Sequence, residues 1–314
     1  MPIKKNEQGL LVEAARLYYQ HDFNQQQIAR RLGISRPGVS RLLQRAREQG
    51  IVRIEIRDPQ EKGTQSESML REKFSLKKAI VVPADERSTI IKKHLGEATI
   101  SYLNDLITND MTIGVSWGTT MQEVANALQP KKTKNLTVVQ LNGGVSKAAY
   151  DTHASEIAQT IGMKYQAVPY LLPLPAIVDS ADLKRSIISD KNIARTLKLA
   201  AECEIAVYTI GLFNRESVLV KADYFEEKEI VDLMTKGAVA DICSRIIDVN
   251  GQICSRSLNA RTIGIELDNL AAKKHAIAVA GGREKLPSIR AALKGKWMNS
   301  LITDEWTAEE LIQD

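Results

Sequence analysis

The chain has 314 residues, of which 44% are hydrophobic and 26% are charged, with a net charge of +5 and three cysteines. This composition excludes a mainly disordered chain, a collagen-like chain and a disulfide scaffold. No stretch approaches the roughly 20 continuous apolar residues of a membrane span, and the N-terminus lacks an apolar secretory core, so we expect a cytoplasmic protein of about two domains.

The net charge is concentrated at the N-terminus. Residues 1–58 contain 11 Lys and Arg against 6 Asp and Glu, so they carry the whole excess of +5, and the other 256 residues are neutral. A short basic segment favours a polyanionic partner for that segment alone. Asp58 and Pro59 break the chain before a polar stretch at 60–68, which predicts a domain boundary between 1–58 and 59–314.

Apolar residues at helical spacing predict three helices in the basic segment. The first covers residues 9–20, the second ends at Leu32, and the third runs from a Ser35 cap to about Gln49. Asp22 or Asn24 is expected to cap the second helix.

The spacing over residues 25–44 is that of a helix-turn-helix. Gly33 stands at the turn, where a positive φ is needed, and the small Ala29 stands where the two helices must cross closely. The alternative is an ordinary helical hairpin with a solvated basic face. The turn spacing favours DNA binding.

The third helix has one apolar side and one polar side. Arg41 is expected to read guanine and Gln44 adenine, whereas Arg36, Arg45 and Arg47 are expected to meet phosphates. Residues 51–59 alternate as a strand in the place of a wing. The side chains predicted to contact DNA are Gln25, Ser35, Arg36, Pro37, Ser40, Arg41, Gln44 and Arg45.

From about residue 77 short β-branched runs alternate with helical patterns. This order predicts an α/β fold with a doubly wound, mostly parallel sheet, whose ligands bind beyond the carboxyl ends of the strands. The predicted strands are 79–82, 111–115, 136–141, 203–210, 276–280 and 300–303. The predicted helices are 88–107, 119–129, 152–161, 182–200, 226–235, 284–294 and 305–313.

Three of the loops that follow predicted strands contain glycine beside polar donors. They are residues 116–120, 142–144 and 281–285. Each glycine taken singly is explained by a tight turn, but three such loops on one sheet edge predict a phosphorylated small ligand. The chain has neither a nucleotide P-loop sequence nor a dinucleotide fingerprint.

Three charged residues are further candidates. Asp241 and Arg245 stand near a predicted strand end, where they either face a ligand or pair with each other. Glu266 follows a short predicted strand and has the same ambiguity. The four histidines lack metal-ligand spacing, so we predict neither a metal nor a cofactor.

Taken together, these motifs resemble the SorC family of bacterial transcriptional regulators, and the likeness covers nearly the whole chain. The blocks that carry it are EAARLYYQ, QQQIARRLGISRPGVSRLLQRAREQGIVRIEIRDP, VSWGTTM, VVQLNGG, YLLPLP, GAVADICSRIID, RTIGIEL and AVAGG.

The resemblance implies a helix-turn-helix, winged-helix-like domain joined to a sugar-phosphate-binding and oligomerisation domain of the ribose-phosphate isomerase-like type. It implies a regulator, in most cases a repressor, of nucleoside or sugar catabolism genes, which binds a palindromic operator as a homotetramer, a dimer of dimers. Its effector would be a phosphorylated sugar such as deoxyribose 5-phosphate. The effector residues that it implies are Gly118, Thr119, Thr120, Asn142, Gly143, Gly144, Asp241, Arg245, Glu266 and Lys285.

Within these blocks the chain departs from the family at Asn142. The resemblance implies a cation there, and a lysine at that position can capture an open-chain aldehyde as a Schiff base. Asparagine has no amine for this chemistry. We therefore expect that the effector is held non-covalently or differs from deoxyribose 5-phosphate. Substitution by the nearby Lys147 is an alternative.

Two other functions fit part of the pattern. One is a sugar-phosphate isomerase or aldolase fused to a DNA-binding domain, although no acid/base or Schiff-base constellation is recognisable in the sequence. The other is a constitutive DNA-binding protein whose second domain only oligomerises.

Overall fold

The computed structural model describes residues 4–52, 65–144 and 152–313, and for residues 4–8 the backbone only. The chain forms two compact units, residues 1–62 and 63–314. The strand predicted over 51–59 lies outside the described residues except for its first two positions. Among the described helices, none is long and apolar enough to cross a membrane.

The N-terminal unit contains three helices, α1 (Lys4–Tyr19), α2 (Gln25–Leu32) and α3 (Arg36–Glu48). Asn24 caps α2 by accepting hydrogen bonds from two backbone N–H groups, and Gly33 ends it with a φ of 65°. Ser35 caps α3 by accepting from Gly38 N over 3.3 Å. A Cβ at Gly38 would lie 3.3 Å from Ser35 Oγ, so a larger residue there would crowd the capping hydroxyl.

The apolar side of α3 forms the core of this unit. Val39 and Leu43 are buried against Ile28 of α2 and Leu17 of α1. Ile51 packs in a second cluster with α1 and α3. The predicted three-helix arrangement is confirmed. Because the apolar side of α3 is buried in this core, its opposite side faces solvent.

The second unit begins with α4 (Gln65–Phe74) and alternates strands with helices. The elements up to residue 188 are β1 (Lys78–Val82), α5 (Ser88–Leu106), β2 (Thr112–Val115), α6 (Thr119–Ala127), β3 (Thr137–Gln140), α7 (Ala154–Tyr165), β4 (Val168–Tyr170) and α8 (Ala181–Ile188). Those that follow are α9 (Lys191–Glu202), β5 (Ile205–Tyr208), β6 (Ile210–Leu212), α10 (Val218–Lys221), α11 (Glu227–Thr235), β7 (Ala238–Ile242), β8 (Arg245–Asp248), α12 (Arg256–Arg261), α13 (Leu267–Ala271), β9 (His275–Val279), a 3₁₀ turn (Arg283–Lys285), α14 (Leu286–Lys294), β10 (Ser300–Asp304) and α15 (Glu305–Gln313).

Seven strands form one sheet in the order β1-β10-β9-β5-β2-β3-β4. All of its pairings are parallel. β5 lies at the centre, between β9 and β2, so the loops after β9, β5, β2 and β3 emerge side by side at one sheet edge. The predicted α/β fold with a parallel sheet is confirmed.

Helices cover both faces of the seven-stranded sheet. In β5, Ile205 and Val207 face the layer of α5, α6 and α7, whereas Ala206 and Tyr208 face the layer of α9, α13, α14 and α15. Burial on both faces accounts for the continuous apolar runs in these strands.

Three predicted elements were wrong in detail. Residues 203–210 form not one strand but β5 in the large sheet and β6 in a separate antiparallel sheet of order β6-β7-β8. The helix predicted over 182–200 is interrupted after Ile188, and Asp190 caps α9 with its carboxylate. The short strand expected before Glu266 consists of two isolated bridges, at Thr262 and Gly264.

Candidate ligand site and nucleic-acid interface

The outward side of α3 presents polar side chains to solvent. Ser40, Arg41 and Gln44 are exposed, as are Ser35, Arg36 and Pro37 at the start of the helix, and Arg45 on the flank is half-buried. Gln44 Nε2 donates a hydrogen bond to Glu48 Oε1 over 2.9 Å. The exposed side chains therefore match the predicted base-reading side of a recognition helix. Gln25 at the start of α2 is half-buried.

The loop after β2 leads directly into the N-terminus of α6. Gly118 has a φ of 122°, and among the described residues no side chain caps the first N–H groups of α6. Thr119 is exposed and Thr120 is buried. A Cβ at Gly118 would lie 3.4 Å from Thr209 Cγ2, which places this loop against the segment between β5 and β6.

The loop after β9 brings Lys285 to the same segment. Lys285 Nζ donates a hydrogen bond to Ile210 O over 3.0 Å. Burial lowers the pKa of Lys285 to about 8, and Lys92 nearby adds to the effect, while Glu284 and Asp241 oppose it. The buried carboxylate of Asp304, at the end of β10, holds the loop by accepting from Gly282 N over 2.6 Å.

The loop after β3 is packed closely. Gly143 N donates to Ile263 O, and Gly144 N donates to Leu174 O. A Cβ at Gly143 would lie 2.4 Å from Pro175 O, so only glycine fits there. These two N–H groups already have partners, and the glycines shape the site by allowing close approach of the backbone.

Asn142 lies at the start of this loop and is fully buried. Its Nδ2 donates to Ser244 Oγ over 2.8 Å, and its backbone pairs with Gly264 in an isolated bridge. No hydrogen-bond partner is present for Asn142 Oδ1 among the described residues.

Ser244 belongs to the two-residue turn of the β7–β8 hairpin. Cys243 and Ser244 both have positive φ, 49° and 67°, as a tight hairpin turn of this length requires. Asp241 precedes the turn. Burial raises the pKa of Asp241 to about 7, although a hydrogen bond from the Ser244 backbone and the charge of Lys285 oppose this.

Asp241 and Arg245 do not pair with each other as one alternative expected. Arg245 is only 1% exposed, and its Nη2 lies 2.7 Å from Glu266 Oε1. It also donates to Ile265 O, Gly264 O and Asn259. Since every guanidinium nitrogen is engaged, Arg245 holds the chain around Glu266, whose side chain is 48% exposed and also lies 3.6 Å from Lys184 Nζ.

Sequence patterns missed three residues of this region. Thr209 was missed because residues 203–210 were predicted to form one strand, whereas Thr209 lies between β5 and β6, which belong to different sheets. Ser244 was missed because it lies in a turn with positive φ values that contains no glycine, so no sequence motif predicted the turn. Asp304 was missed because it lies at the end of β10, far along the chain from the loop after β9 whose Gly282 N–H it accepts from.

Comparison with known proteins covers both units of the chain. The Sugar-bind model, for a sugar-binding domain, matches residues 58–313, and the MarR family model matches residues 16–62. The deoxyribonucleoside regulator of Bacillus subtilis (strain 168) is 44% identical over 312 residues, which cover 99% of each chain. The chain belongs to the SorC family of transcriptional regulators.

Solved structures of this family have the same fold. The full-length sorbitol operon regulator SorC from Klebsiella pneumoniae superposes with a TM-score of 0.77 and 30% identity, over 96% of this chain and 98% of that one. A domain of a sugar-binding transcriptional regulator from Arthrobacter aurescens TC1 gives a TM-score of 0.74 with 26% identity, over 82% and 100%. The chain is therefore a DNA-binding transcriptional regulator with a sugar-binding domain.

Proposed function

We propose that this SorC-family member represses genes of deoxyribonucleoside or related sugar catabolism, and that a phosphorylated sugar such as deoxyribose 5-phosphate changes its affinity for the operator. The proposal rests on two contacts with adjacent residues: Gly118 lies against Thr209, and Lys285 Nζ donates to Ile210 O. An uncapped helix N-terminus and an ammonium group on one short segment favour a bound phosphate. The name of the Bacillus subtilis relative supports the choice of pentose.

In this proposal the phosphate binds to Gly118, Thr119, Thr120 and Lys285, and the sugar extends toward Asn142, Asp241 and Glu266. Gly143 and Gly144 allow the ligand site to form, and Arg245 positions Glu266. Asn142 has no amine to form a Schiff base, so in this proposal the ligand forms no covalent bond at this position.

The N-terminal domain, proposed to span residues 1–58, would place α3 in the major groove, and the domain at 59–314 would supply the ligand site and the oligomer contacts. Two recognition helices of a dimer meet half-sites about one helical turn apart, or a multiple of it, so we propose a palindromic operator bound by a dimer of dimers. The ligand shifts operator affinity only by binding one conformation better than another.

The ligand is an effector in this proposal and not a substrate. Its curated relatives are named as regulators, including the sorbitol operon regulator of Klebsiella pneumoniae, 31% identical over 309 residues. Incubating the purified protein with deoxyribose 5-phosphate and separating the products tests this directly. Turnover would favour the isomerase or aldolase alternative.

The central experiment measures operator binding while pentose and hexose phosphates are added. The variant Lys285→Ala is expected to bind the operator like the wild type but to lose most of its response to the effector. Lys294→Ala is the matched control, because Lys294 is exposed at the far end of α14. A response in Lys285→Ala equal to that of the control would contradict the assignment of the phosphate site. An operator affinity that no sugar phosphate changes would contradict the proposed function.

A further inference from the structure

Three buried oxygen atoms of the candidate ligand site have no hydrogen-bond partner among the described residues. They are Asn142 Oδ1, Thr209 Oγ1 and Asp241 Oδ1. Buried polar atoms in folded proteins are nearly always paired, and leaving one unpaired is costly. Three such atoms around one site offer acceptors to the donor groups of a bound ligand.

Ser244 hydrogen-bonds one end of the Asn142 amide. Its Oγ accepts one hydrogen bond from Asn142 Nδ2 over 2.8 Å, and Asn142 Oδ1 at the other end has no partner among the described residues. The backbone N–H of Ser244 also hydrogen-bonds Asp241. One turn residue therefore interacts with both Asn142 and Asp241, each of which has an unpaired acceptor oxygen.

An unpaired acceptor favours a ligand group that can donate a hydrogen bond. A hydroxyl donates a hydrogen bond to an amide or carboxylate oxygen, whereas an aldehyde oxygen has only lone pairs and would be repelled by it. A closed-ring sugar carries a hydroxyl on its anomeric carbon, and the open-chain form of the same sugar carries an aldehyde there.

We propose that Asn142, hydrogen-bonded to Ser244, selects the closed-ring form of a phosphorylated sugar by accepting from its anomeric hydroxyl, while Asp241 accepts from another hydroxyl of the ring. This inference rests on the proposed function, because it takes the phosphate to lie at Gly118 and Lys285 and the anomeric end to lie at Asn142. The ring form is bound as it stands, so no bond to the protein forms.

The test compares matched ligands on the full-length wild-type protein by calorimetry. Deoxyribose 5-phosphate and ribose 5-phosphate are each paired with the 1,4-anhydro analogue, which keeps the ring and the phosphate but lacks the anomeric hydroxyl. Each natural sugar is expected to bind at least about tenfold more tightly than its analogue, the effect of one hydrogen bond to a buried acceptor. Equal affinities within both pairs would overturn the inference.

Two variants connect the discrimination to Asn142. Asn142→Leu has a similar volume and no polar atom, and its affinity ratio between sugar and analogue is expected to fall close to one. Asn142→Asp retains an acceptor and is expected to keep the ratio. A ratio that Asn142→Leu leaves at the wild-type value, in a variant whose thermal unfolding shows it folded, would overturn the role of this residue.

A borohydride experiment separates this inference from covalent capture. Borohydride reduces an imine between a lysine and the open-chain aldehyde to a stable secondary amine, after loss of water in imine formation. We expect no adduct by peptide mass spectrometry of the wild type incubated with deoxyribose 5-phosphate, and an adduct would overturn the inference. If both members of each pair bind equally and both alter operator binding, the proposed function stands and the inference fails. If none of the four ligands binds, both fail.

Discussion

Trp117 Nε1 donates a hydrogen bond to Gly143 O over 2.8 Å and so joins the loop after β2 to the loop after β3. The indole is buried, and the two loops that it joins carry Gly118 and Asn142. Two neighbouring parts of the candidate ligand site are thereby held at a fixed separation, although they come from different strands.

We expect Trp117→Phe to lower the free energy of unfolding by about 1–3 kcal/mol, through loss of this hydrogen bond and of packing volume. It should also weaken effector binding while operator binding without effector stays unchanged. Urea unfolding and effector titration measure the two quantities. Trp297→Phe is the matched control, because Trp297 Nε1 donates to Gly251 O over 2.7 Å in another part of the unit. Equal effects of both variants on effector affinity would contradict a special role of Trp117.

Arg245 and Glu266 should differ sharply in their effect on stability. Arg245→Met leaves several carbonyl oxygens and Glu266 without their donor, so we expect a loss of about 3–5 kcal/mol in the free energy of unfolding. Glu266→Gln keeps an acceptor at a half-exposed position and should cost less than about 1 kcal/mol. Chemical denaturation of both variants checks this, and a Glu266→Gln cost as large as that of Arg245→Met would show that the ion pair, not the carbonyl contacts, holds the loop.

Effector affinity should depend on pH in both directions. Below the Asp241 pKa of about 7 this carboxylate takes up a proton and accepts less well from the sugar, and above the Lys285 pKa of about 8 the ammonium loses the charge that attracts phosphate. We therefore expect the affinity to be highest between these two values and to fall on either side. Calorimetry from pH 5.5 to about 9.5 spans both ionisations and the second ionisation of a phosphate ester near about 6.

Two variants assign the limbs of that profile. Asp241→Asn should abolish the fall in effector affinity between pH of about 7 and the second ionisation of the phosphate at about 6. Lys285→Ala should abolish the fall in affinity at alkaline pH. A profile that neither variant alters would show that these groups do not face the ligand.

Arg41 should contribute to sequence recognition, and Arg47 only to general affinity. Arg41→Ala is expected to weaken binding to the preferred duplex by about 1–3 kcal/mol, because a bidentate contact with guanine is lost, and to change binding to random duplex little. Arg47→Ala, at the other end of α3, should weaken both equally and reduce the salt dependence. Fluorescence anisotropy with a duplex selected by the protein from a random library measures these effects. An equal loss on both duplexes for Arg41→Ala would assign it to a phosphate.

The sequence by itself determined the features that depend on neighbours along the chain. The Asn24 and Ser35 caps, the Gly33 turn and the apolar stripe of α3 follow from hydrogen bonds and periodicities that span a few residues. The same kind of local signal located β2, β3 and β9 and the polar loops that follow them, because buried parallel strands are continuous apolar runs.

Tertiary structure alone decided how those loops combine. Asn142 and Ser244 are 102 residues apart, and their hydrogen bond exists because the hairpin β7–β8 folds back on the sheet edge. The pairing of Arg245 with Glu266, and the meeting of Gly118 and Lys285 at Thr209 and Ile210, likewise depend on strand order and on the change of sheet after β5. Local patterns do not encode these relationships, since a hydrogen bond between distant residues is fixed by the packing of whole elements and not by the spacing of their sequences.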